Sequence, residues 1–167
     1  MLPGLAAGVI AGTVSGLPST LHAVLTGRDP LAAARAAGNL VLPAEAAPVR
    51  LLVAGAAVHT AVSLGWGTVL GVALPRLLEP PARPERRASP ESPAPWAPPF
   101  SPGPGASPWW RGAWWGTVSG LLIAALDLGV IGRRRPLIRD LPVLPQVADH
   151  LAFGAVAGAV VARSGGG

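Results

Sequence analysis

The chain has 167 residues, half of them hydrophobic and only 13% charged, and its net charge of +5 comes from thirteen arginines with no lysine. A soluble domain carries about 25% charged residues, so the deficit points to lipid as the solvent. The arginines flank apolar runs instead of forming one surface, which argues against a nucleic-acid partner despite a pI near 11.6, and the lack of cysteine excludes disulfides and thiolate metal sites.

Apolar helical segments of roughly 17–25 residues span a bilayer core. Four stretches qualify: about Leu2–Leu25, Leu51–Leu74, Gly112–Ile131 and Gln146–Ala162. The first carries no charge from Met1 to Gly27, has no basic residue ahead of it and exceeds the usual apolar length of a signal peptide. It is therefore expected to be a retained span. Gly4, Gly8, Gly12 and Gly16 recur at every fourth position and lie in one stripe on a helix, where a second backbone can approach closely. Pro18 removes a backbone donor and crowds the Val14 carbonyl, so a kink is expected there, with Ser19 and Thr20 bonding the freed carbonyls. It reads either as a packing bend or as a broken helix lining a site.

Asp29 as N-cap, Pro30 in the first turn and Gly38 as terminator predict a short surface helix over about 30–37. In the second span Gly55, His59, Ser63, Gly67 and Gly71 repeat the fourfold spacing, which puts the histidine in a packing seam, away from lipid. Residues 79–108 hold eleven prolines and are expected to be a disordered or polyproline-like linker. Trp109, Trp110, Trp114 and Trp115 then mark the headgroup level. Gly112, Gly116, Gly120 and Ala124 form the third stripe, and His150, Gly154, Gly158 and Ala162 the fourth.

Gly12-Thr13-Val14-Ser15-Gly16-Leu17 recurs unchanged as Gly116-Thr117-Val118-Ser119-Gly120-Leu121, and His59, Ser63, Gly67 and Gly71 align with His150, Gly154, Gly158 and Ala162. These identities predict an all-α, membrane-spanning four-helix bundle built from a tandem two-helix repeat, over 1–78 and 109–167. Two spans per unit make the repeat parallel.

His22, Asp127, Asp149 and His150 are each expected within roughly 5–8 Å of one bilayer surface, and His59 about 12 Å in from it. Such a cluster could carry protons or bind a cation. The competing reading has the acids pairing with Arg133–Arg135 or capping helices, and the histidines satisfied by serine or backbone. No H-E-x-x-H, G-x-S-x-G, P-loop or dinucleotide pattern occurs. Neither a cofactor nor a resident metal is expected, and the leading reading is non-enzymatic. It is a structural or accessory bundle whose partners are the bilayer and a second copy or another membrane protein. The alternative is a small transporter or channel component for protons or a cation, and the third is a membrane-embedded enzyme using the same cluster. The arginine triplet after the third span, with no basic residue before the first, tilts the inter-helix loops of both repeats toward the cytoplasm and the termini outward.

The segments GLPSTLHAVLTGRDPLAAARAAG, ALDLGVIGRRRP and ADHLAFG resemble small uncharacterised multi-pass membrane proteins of GC-rich bacteria. The resemblance implies a membrane location and brings no activity with it.

Overall fold

The computed structural model describes residues 2–78 and 106–164; most of the expected proline linker, 79–105, lies outside the described residues. Among those described there is no strand. The helices are α1 (Leu2–Ser15), α2 (Leu17–Leu25), α3 (Ala32–Gly38), α4 (Pro48–Leu78), α5 (Pro108–Leu126), α6 (Pro136–Arg139) and α7 (Val143–Ser164). Four helical segments are long and apolar enough to cross a membrane: Pro3–Leu25, Pro48–Leu78, Pro108–Arg134 and Val143–Ser164.

Bare backbone makes the crossings. A methyl group on Gly4 would sit 2.8 Å from the Gly67 carbonyl oxygen, and one on Gly8 would sit 2.5 Å from that of Ser63. On Gly12 it would meet the Ser63 side chain at 2.8 Å. These contacts hold α1 against α4, with Gly67 and Gly71 facing Gly4 and Gly8 in return. In the second half, Gly112 faces the carbonyl of Gly158, Gly116 that of Gly154, and Gly120 that of His150, all too closely for any side chain. Each interior glycine costs about 1 kcal/mol of helix propensity relative to alanine. The close approach, with its dispersion contacts, offsets that cost.

Two glycines depart from the expected stripes. Gly16 has no atom within 4 Å of the position a methyl would take, so it belongs to no seam. Gly55 faces the Ala34 carbonyl of α3 instead of α1. That contact, with Gly38 against Leu51, docks α3 onto the first turns of α4 and buries Ala36 and Gly38.

The two copies of the identical hexapeptide hold different seats. When Ser63 is matched to Gly154 and Gly67 to Gly158, the carbonyl contacts pair Gly8 with Gly116 and Gly4 with Gly112. The sequence identity pairs Gly12 with Gly116 instead, one helical turn away. Gly120 consequently meets a backbone where Gly16 meets nothing.

The halves meet through α7, which packs against α1, α2, α4 and α5. Their shared core contains Ala7 and Ala11 of α1, Leu70 and Leu74 of α4, and Phe153, Ala157 and Val161 of α7, with Trp66 and Trp115 at its edge. Outside it, Val9, Ile10, Leu21, Val24, Val53 and Leu122 are exposed. At one end Trp109 stacks edge-on to Trp110 at 5.8 Å, under the Arg163 guanidinium at 5.7 Å.

The loop leaving α2 turns on Gly27, whose φ of +68° is the left-handed value that favours glycine. The Arg28 amide bonds Ala23 O at 2.7 Å and the Gly27 amide bonds Val24 O at 3.3 Å, which is a Schellman cap. Asp29 lies two residues ahead of the N-cap instead of at it: its Oδ1 accepts the Leu31 amide at 2.8 Å, it pairs with Arg35, and α3 starts at Ala32.

Candidate functional site

The first span is broken. Gly16, with φ −79° and ψ 0°, separates α1 from α2 two residues before Pro18. A break leaves carbonyls orphaned on one side and amides on the other. On the α1 side, His59 Nε2–H donates to the Gly12 carbonyl at 2.8 Å, and Ser15 Oγ reaches the same oxygen at 3.3 Å. On the α2 side, the Ser19 amide donates to Asp149 Oδ1 at 2.9 Å. Ser19 is the third residue of α2, so a carboxylate from α7 fills the place of an N-cap side chain, where the helix dipole also favours negative charge. The Ser19 hydroxyl and the Thr20 amide both bond the Gly16 carbonyl, at 3.3 and 3.1 Å.

The third span is also interrupted. After Leu126 the chain makes a five-residue π segment, Asp127–Ile131, then a 3-10 turn, Gly132–Arg134. The wide turn starts at Asp127, whose Oδ2 lies 3.0 Å from His150 Nε2. The other ring nitrogen, Nδ1, lies 2.7 Å from the Gln146 carbonyl one turn earlier on α7. Both side chains are sheltered, His150 at 22% and Asp127 at 30% exposure. Because α7 begins at Val143, His150 sits about 10 Å from the helix start at 1.5 Å per residue, deeper than a span from Gln146 would put it.

His22 lines an open cavity of about 360 Å³ at the α2–α3 end, together with Ser19, Arg28, Asp140 and Gln146. The expected polar cluster is therefore distributed. Asp127 joins His150 between the π segment and α7, and Asp149 joins Ser19 between α7 and α2. His59 joins Gly12 on the exposed edge of the α1–α4 seam, and His22 faces the cavity. Among the described residues no three His, Asp or Glu side chains gather closely enough to hold a metal ion.

The sequence alone does not show the π segment, the part Gln146 plays or the cavity at the α2–α3 end. A clue to the first was available in Gly129 and Gly132, two glycines interrupting the helix just beyond Asp127. The role of Ser19 as an amide donor required knowing that α7 packs on α2.

Among its described residues the chain is thus all-helical, with four helices of membrane-crossing length and composition. No family model matches it, and no curated protein or solved structure gives a significant match.

Proposed function

We propose that this chain is a multi-pass protein of the cell membrane that works as a structural or accessory bundle, packing against itself or a membrane-protein partner and performing no catalysis. The observation that carries this reading is that Asp149 and His59 serve the two broken ends of the first span, one capping an amide and the other a carbonyl. Both ionisable groups are thus committed to holding helices. The exposed valines and leucines are a liability in water but fit a lipid surround. We further read 1–78 and 109–167 as a duplicated two-helix unit, with the inter-helix loops of both copies cytoplasmic. Support comes from the repeated hexapeptide and from the like order of glycine–carbonyl contacts in the two seams, allowing for a one-turn slip.

A second reading, movement of protons or a cation, is favoured by the Asp127–His150 pair at the π segment. π turns are frequent at functional sites, and ionisable pairs within spans often mark ion paths. Reconstitution of the full chain in vesicles under a pH gradient separates the two. The structural reading expects dissipation no faster than in empty vesicles. A flux abolished by His59→Ala and Asp127→Ala together would replace it with the second.

A further inference from the structure

The hydrogen bonds around His150 fix a proton count. The Gln146 backbone carbonyl can only accept, so Nδ1 must carry a hydrogen across the 2.7 Å contact. With Nδ1 protonated, a neutral imidazole has a bare lone pair at Nε2. That lone pair would face an ionised Asp127, also a pure acceptor, at 3.0 Å. Two acceptors at that distance repel, and a bond forms only when a proton lies between them.

We propose that Asp127 and His150 form a proton-binding site, together holding one proton more than a neutral imidazole and a carboxylate. The bound form is either an imidazolium beside a carboxylate or an Nδ1–H imidazole accepting from a carboxylic acid. Both are electrically neutral overall, which lowers the cost of shelter inside a span. Loss of the proton leaves a unit of charge −1 and breaks the tie between the π segment and α7. Gln146, whose carbonyl anchors Nδ1, also lines the open cavity.

The surroundings are mixed in sign. Asp149 stands next on α7 and spends one oxygen on the Ser19 amide of α2. His59 of α4 lies toward Asp149. His22, Arg28, Asp29, Arg35 and Asp140 ring the cavity, and Arg133–Arg135 follow the π segment. None of these occupies the 3.0 Å contact itself, so the proton belongs to the pair.

This site supplies a carrier for the transport reading but stands without it. The test is histidine ¹⁵N and aspartate ¹³C NMR of the full chain in phosphatidylcholine vesicles at about pH 7.5, a unit above the unperturbed histidine value of ~6.5. His150→Gln identifies the His150 signals. The expected result is His150 with both nitrogens protonated, or Nδ1–H alone with the Asp127 carboxyl protonated. In Asp127→Asn the side-chain amide can donate to Nε2, so His150 should become the neutral Nδ1–H form with one exchangeable proton lost. A neutral His150 beside an ionised Asp127 in the unaltered protein would overturn the proposal. So would a His150 that stays doubly protonated in Asp127→Asn, since the proton would then answer to Asp149. Flux is measured separately: a bound proton without flux removes transport and leaves the site.

Discussion

Adding one methyl group at Gly8 should weaken the protein, while the same change at Gly65 should not. At Gly8 the new carbon would lie 2.5 Å from the Ser63 carbonyl oxygen and 3.0 Å from the Leu64 Cα, both of them backbone atoms that no rotamer change can move. Ordinary contact begins at 3.4 Å, so α1 and α4 must part by about 0.9 Å. That separation loosens the neighbouring contacts at Gly4, Gly67 and Gly71 as well. Overpacking of this kind costs about 1–3 kcal/mol, against which the better helix propensity of alanine returns about 1 kcal/mol. Because both clashes are with backbone the cost lies above the low end of that range, and the net expectation for Gly8→Ala is a loss of about 1–2 kcal/mol. Gly65 lies in the same α4, is exposed, and has nothing within 4 Å of its methyl position. Gly65→Ala therefore keeps only the propensity gain, up to about 1 kcal/mol. Unfolding in mixed micelles with increasing dodecyl sulfate, followed by circular dichroism, gives both values from one assay. The reasoning is refuted if Gly8→Ala matches or exceeds the unaltered protein, or if both variants lose stability equally.

Asp149→Ala should expose the Ser19 amide and cost about 1 kcal/mol, the usual loss of a helix cap, with faster hydrogen exchange at Ser19 and Thr20 as the local readout. Asp149→Asn keeps an acceptor oxygen and should lose less than half as much on the same measurement. Brominated lipids should quench Trp109 and Trp110 best when the bromine sits near the headgroups, because both rings are exposed at one end of the bundle. Strongest quenching by mid-chain bromine would contradict that depth. Arg163→Ala removes a guanidinium from over Trp109 and should cost about 0.5–1 kcal/mol in the micelle assay.

Apolar run length makes the four membrane-length helices legible in the sequence, and the fourfold glycine spacing most of their close-packed faces, because bare positions on a helix are fixed by its period. It could not say which neighbour fills each one. Gly55 looked like a continuation of the α4 stripe, yet α3 takes it through Ala34. Gly16 looked like the fourth member of the α1 stripe, yet the chain breaks there and leaves it uncovered. Pro18 signalled a bend, but the break comes two residues earlier, at the residue with no side chain to resist it. The π segment begins at Asp127, which reaches His150 23 positions away, and local propensity carries no trace of that pairing. His22, Asp127, Asp149 and His150 lie at similar expected levels, but a level is a plane: Asp127 and His150 share one gap, Asp149 turns to α2 and His22 faces the cavity.

One small contact bears on how this protein can be engineered. Arg111, in the first turn of α5, reaches the carbonyl of Leu78 at the very end of α4, 3.5 Å away. The two anchor points of the intervening stretch are thus stapled to each other by the folded body. When the two ends of a connection are already held together, doubling its length adds only about 0.6 kcal/mol of closure entropy. A fluorescent reporter or affinity tag spliced between residues 79 and 105 should accordingly leave the helix register untouched, which makes that stretch the natural port for a probe.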